Sequence, residues 1–183
     1  MFVSGLILTA ACGGSLYKIK PVVRTPIPDG VSGEEAGAIK LRAIPLLTDE
    51  EVQDLFEANL LLAGVLPVRV ELGNNSGAPI DLRKAQFSLR DADEHVWKRL
   101  SAKKAASRIL DYYAVYLYNP NSRAKFEVDF RAHAFNTEEP LAPGEQRSGL
   151  LFLQSPRNEP VASPRGLVLV VEKLPQSLML KLN

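Results

Sequence analysis

His95 and His133 are the only two histidines of the chain. A general base, a triad or an imidazole metal ligand must therefore use one of them, or both brought together from distant positions. Lone histidines of this kind are ordinarily surface or cap residues. Asp91, Asp93 and Glu94 cluster beside His95, but the segment lacks the central glycine and distal glutamate of a calcium loop. It reads as an acidic hairpin turn, since aspartate bonds its own backbone there. Nucleophilic hydrolysis needs a serine on a strained turn, and neither residues 73–77 nor Ser148 with Gly149 forms a Gly-x-Ser-x-Gly elbow. There is no Walker loop and no dinucleotide fingerprint. No metal site and no cofactor is expected, and a non-enzymatic role is the leading one.

The aromatic residues carry a stronger signal. Tyr112, Tyr113, Tyr116 and Tyr118 are four of the five tyrosines, and Asn119, Pro120 and Asn121 follow. An exposed tyrosine offers a large apolar face with a polar tip, which suits protein or carbohydrate recognition. One placement has Trp97, Tyr112 and Tyr113 presented to a partner. The other has Tyr116 and Tyr118 pointing into the core from a strand, with Tyr112 covering its edge.

Charge is balanced overall and segregated locally. With 22 Lys+Arg against 21 Asp+Glu, a net charge of +1 creates no field for a polyanion, so nucleic acid is excluded as a bulk partner. Asp49, Glu50, Glu51, Asp54 and Glu57 run without a base between them, as suits a helix N-terminus. Lys98, Arg99, Lys103, Lys104 and Arg108 run without an acid. They form either a patch for phosphate or anionic lipid, or a solvated helical face.

Residues 1–11 are apolar or small and uncharged, and Cys12, the only cysteine, follows them. The run is too short to span a bilayer, which takes about 20 residues, and has the length of a signal-peptide core. Leu8, Thr9, Ala10, Ala11 and Cys12 resemble the lipobox of bacterial lipoproteins, although Leu8 stands four residues before the cysteine instead of three and no basic segment precedes the run. The resemblance implies cleavage before Cys12, lipidation of its thiol, and anchoring to a membrane. Gly13 rather than aspartate implies the outer membrane, facing the periplasm. A mature chain without a free thiol also suits an oxidising compartment. Residues 12–37, with Pro21, Pro26, Pro28, Gly30 and Gly33, are expected to be the lipidated N-terminus and a flexible linker. Lys18, Lys20 and Arg24 lie near the anchor, either against head groups or solvated.

The body, residues 38–183, is positioned by short elements. Alternation predicts strands over 39–43, 66–72, 96–99, 147–154 and 178–182, with a continuous apolar run at 167–171 read as a central strand. A parity change between Leu82 and Ala85 predicts a bulge or bend near Arg83 and Lys84. Thr48 with Glu51 forms a capping box ahead of a helix over 49–61. Ser101 is placed to cap a helix over 102–110, and Ser122 another in which Phe126, Phe130 and Ala134 stack. Hydrophobic residues at 46% and charged residues at 23% suit one folded domain.

The motifs VRVEL, NNSGAPIDL and FSLRDADEHVW between Val68 and Trp97, with the later LAPGE and GLLF runs and Ser155-Pro156, resemble the immunoglobulin-like, telokin-like domains of many bacterial lipoproteins. The resemblance implies a mainly β fold, an immunoglobulin-like β-sandwich with short helical insertions; residues 102–136 depart from the family as an insertion. It supplies no site residue. The expected function is thus a membrane-anchored envelope lipoprotein acting as a binding or scaffolding module for an envelope protein. An accessory subunit of a secretion or envelope-assembly machine is the alternative in the same location. An envelope hydrolase without a recognisable motif is the third reading.

Overall fold

Alternating apolar residues organise the chain into strands, and the computed structural model, which describes residues 19–22, 26–28, 31 and 33–183, shows how those strands meet. The strands are β1 (Gly33–Ala36), β2 (Ile39–Pro45), β3 (Val65–Asn74), β4 (Gln86–Arg90), β5 (Val96–Leu100), β6 (Gln146–Gln154), β7 (Val168–Glu172) and β8 (Leu178–Lys181). They form one sheet in the order β1-β2-β3-β6-β5-β4-β7-β8. Every ladder is antiparallel. Because β1 and β8 approach each other, the sheet is nearly closed into a barrel. The sequence predicts two facing sheets, and the finding is one curled sheet. Period-2 alternation shows that a strand has a buried face, but not whether that face meets a second sheet or the far side of its own.

Strand β3 is the axis of the molecule. Its even residues Leu66, Val68, Val70 and Leu72 are wholly buried, and it pairs along its length with β2 on one side and β6 on the other. Strand β7 lies one place from the end of the order, not at the centre. Its apolar run reflects burial on two faces, which any covered strand shares. Of the bulge or bend expected at the parity change, the chain makes the bend: a 3-10 turn over Leu82–Lys84, with Asp81 accepting from the Arg83 amide.

Three helices complete the fold: α1 (Asp49–Phe56), α2 (Ala102–Tyr112) and α3 (Pro120–Ala132). Both halves of the Thr48–Glu51 capping box form at α1. The helix stops before residue 61 because Glu57 takes a left-handed conformation, φ 49°, with its amide bonded to the Gln53 carbonyl. Ser101 caps α2 by accepting from the Lys104 amide. Asn119 rather than Ser122 caps α3, because Pro120 is preorganised for the first helical position. Ala134 lies beyond α3, in a parallel bridge to Leu150. Phe130 joins α3 to the rest: its ring lies 4.8 Å from Phe152 on β6 and 5.0 Å from Phe56 on α1.

The signal-peptide reading of residues 1–11 and the lipidation of Cys12 lie outside the described residues. Part of the segment expected as a linker is built into the domain. Residues Gly33–Ala36 form β1, and Ile27 is buried at 2% exposure. Arg42 donates to the carbonyls of Ile27 at 2.8 Å and Pro28 at 2.5 Å, and pairs with the buried Glu71 at 3.4 Å. Lys20 is likewise engaged: its amide bonds the Leu55 carbonyl and its ammonium pairs with Asp54. The prolines of this segment interrupt regular structure, but they do not prevent docking. No helix among the described residues is long and apolar enough to cross a membrane.

Candidate binding surface on the helical insertion

Helix α2 buries Ala105, Ala106, Ile109 and Leu110, so its opposite side faces solvent. The chain leaves it through residues 113–119, in which odd and even positions separate. Tyr113, Val115 and Leu117 pack against the core, while Tyr112, Tyr116 and Tyr118 point outward. Their exposures are 50%, 72% and 88%. Tyr116 and Tyr118 are therefore not core residues. The predicted pattern had the parity reversed, because Ala114 at φ 51° resets the direction of the chain after α2. The rings of Tyr116 and Tyr118 lie 6.1 Å apart, and Tyr112 meets Tyr113 edge-on at 5.0 Å.

Tyr113 and Trp97, proposed from sequence as partner-binding residues with Tyr112, serve the fold. The Tyr113 hydroxyl both accepts from the Asn59 amide and donates to the Asn59 carbonyl, each at 3.2 Å, which ties α2 to the turn after α1. Trp97 is 5% exposed, and its indole N–H donates to Asp91 Oδ2 at 3.0 Å. It lines a separate cleft of about 550 Å³, between the turn at residues 91–95 and the loop at residues 155–165.

The acidic turn is a real structure with a structural use. Asp91 Oδ1 accepts from the amides of Asp93 at 3.0 Å and His95 at 2.9 Å, while Oδ2 takes the Trp97 indole. Burial alone would raise the Asp91 pKa, but the bonds from Trp97, His95 and Asp93 together bring it below the ordinary value. Asp91, Asp93 and His95 place one potential ligand atom each within 4.8 Å of one another. Both Asp91 oxygens are engaged by the hydrogen bonds that shape the turn. His133 lies elsewhere, buried against Phe56, with Nε2 donating to the Lys20 carbonyl at 2.8 Å. The two histidines do not form a pair.

The five cations of the second charge run divide. Arg99 stacks over Phe87 at 5.3 Å and donates to the Phe135 carbonyl at 3.1 Å, and burial lowers its pKa from the usual guanidinium value. Arg108 donates to the carbonyls of Ala63 at 2.6 Å and Asn158 at 3.0 Å. Lys98, Lys103 and Lys104 are exposed. Lys103, Lys104 and Arg108 line a groove of about 670 Å³ beside α2, with Tyr112 on its wall.

No family model and no curated protein matches the chain. Among solved structures, a conserved hypothetical protein from Bacillus anthracis is similar over 91% of this chain and 97% of its own, with a TM-score of 0.41 and 11% identity. That likeness carries no statement about activity or ligand.

Sequence reasoning missed the inward use of Tyr113 and the ion pair of Glu71 with Arg42. Nothing in local spacing marks either, since both depend on a partner distant in sequence. The register that sets Arg42 opposite Glu71 exists only once β2 pairs with β3.

Proposed function

We propose that this protein is a lipid-anchored lipoprotein of the bacterial envelope, held through Cys12 at the outer membrane and facing the periplasm, whose barrel-like domain is a non-enzymatic binding or scaffolding module. The observation that supports it best is the outward face of Tyr112, Tyr116 and Tyr118 on an insertion fastened to the core by Phe126, Phe130, Ile109 and Leu110. Three large amphipathic rings on a supported surface provide contact area at low entropic cost, the quality that aromatic residues bring to protein interfaces. The partner on this reading is an envelope protein. The immunoglobulin-like resemblance remains one of strand-and-turn pattern and contributes no residue to the surface.

The test compares three chains in cells supplied with a fatty-acid analogue and a crosslinker. The native chain should be labelled, retained by membranes and crosslinked to a discrete envelope protein. Cys12→Ala should lose label and retention. The combined substitution of Tyr112, Tyr116 and Tyr118 by serine should lose the crosslink while keeping its label and its unfolding midpoint, because none of the three rings is in the core. A native chain that is unlabelled and soluble would remove the anchor, and a crosslink surviving the tyrosine substitutions would move the interface elsewhere.

A further inference from the structure

We propose that the groove beside α2 is a binding site for a single-chain anionic amphiphile with a phosphate head group. This goes beyond the protein-partner reading and rests neither on the lipid anchor nor on Tyr116 and Tyr118. The groove is open to solvent along one side and offers about 670 Å³, within the range of roughly 300–1,000 Å³ in which clefts hold small ligands. Its composition is graded along the helix. Lys103 and Lys104 lie in the first turn of α2, Arg108 one turn on, and Asp111 and Tyr112 at the far end. Among the described residues no carboxylate pairs with Lys103, Lys104 or Arg108, so three positive charges face one groove with a single acid.

The helix macrodipole adds positive potential at the end where the lysines stand, and Asp111 repels an anion from the other. Arg108 is preorganised: two backbone carbonyls hold its guanidinium in place, so its charge is available without ordering a long side chain. The helix spans about 16 Å at 1.5 Å per residue. Half-buried Leu100 lines the lysine end, buried Ala63 lies beside Arg108, and the half-exposed ring of Tyr112 stands at the far end. An anionic head at the lysine end with an alkyl chain running toward Tyr112 satisfies both the charge and the apolar wall. A bare anion uses only the first, and a neutral detergent only the second. The Ser101 hydroxyl already caps α2, so charge from the side chains, not a free helix end, carries the recognition.

Calorimetric titration of the full chain carrying Cys12→Ala tests this, with dodecyl phosphate kept below its micelle concentration. One-to-one saturation is expected, weakening as salt rises. Inorganic phosphate and dodecyl maltoside should each bind at least about tenfold more weakly, and Lys103→Glu with Lys104→Glu should weaken dodecyl phosphate by at least about tenfold, since opposite charge then meets the head group. Ser107→Trp, which fills the groove without altering charge, should abolish binding. Both variants alter solvent-facing or half-buried positions, and an unchanged unfolding midpoint shows that they fold. Flotation with phosphatidylglycerol vesicles against phosphatidylcholine vesicles separates sources. Retained dodecyl phosphate binding without vesicle capture supports a free single-chain amphiphile, and lysine-dependent capture on the first, a two-chain lipid surface, overturns that occupant. Equal affinity for dodecyl phosphate and dodecyl maltoside, equal affinity for inorganic phosphate, or no saturation overturns the proposal.

Discussion

A single carboxylate shows how a residue with catalytic credentials becomes a structural one. Asp91 receives two amides and an indole, so its charged form is stabilised in the folded state more than burial destabilises it, and its pKa falls below the ordinary 3.8. The sign follows. A carboxylate with a lowered folded pKa contributes stability that is present above the unfolded value and is lost as pH falls through the folded one. Trp97 is the chain's one tryptophan and bonds this carboxylate directly, so its emission should shift during acid titration with a midpoint below 3.8. Asp91→Asn should lack that step and lose about 1–2 kcal/mol at neutral pH, since one buried donor is left poorly satisfied. The same acid step in the variant would assign the transition to another group. The turn itself was legible from the Asp-rich sequence, because its bonds are local. The indole bond was not, because it depends on how β4 and β5 pair.

At the scale of elements, the decisive feature is a gap beside β6. Strand β5 pairs only with its far end, at residues 152–154. The chain leaving α3 fills the rest: the Leu150 amide bonds the His133 carbonyl at 2.8 Å and the Phe135 amide bonds the Leu150 carbonyl at 2.9 Å. That close approach needs a residue without a side chain. A Cβ on Gly149 would stand 2.5 Å from Phe135 Cα and 2.6 Å from its nitrogen. Gly149→Ala must therefore move backbone, and should cost about 3 kcal/mol in denaturant unfolding. Gly77→Ala, where a Cβ meets nothing within 4 Å, should stay within about 0.5 kcal/mol of the native chain. Comparable losses at both positions would show that the α3 exit does not pack as described. The insertion is thus held by helix faces, aromatic rings and a short run of pairing, which keeps the outward tyrosines in a fixed setting.

For the molecule as a whole, the question is how far the N-terminal segment belongs to the domain. Buried Ile27, the Arg42 clasp over Ile27 and Pro28, and the His133 bond to Lys20 all hold it down. A chain trimmed to begin at Gly33 should lose about 2–3 kcal/mol, mostly from the burial of Ile27 and its carbonyl contacts. A loss of less than about 0.5 kcal/mol in equilibrium unfolding would return the segment to the role of a passive spacer. By itself, the sequence determined what local spacing controls: strand alternation in β3, the Thr48–Glu51 and Ser101 caps, and the acidic turn. Each depends on residues a few positions apart, so chain geometry alone brings the partners together. Tertiary structure alone decided that the sheet curls on itself, that Trp97 and Tyr113 face inward while Tyr116 and Tyr118 face out, and that Arg108 leaves its charge in a groove with Lys103 and Lys104. Those outcomes depend on which remote segments compete to cover each surface, and that competition is resolved only when the whole core packs.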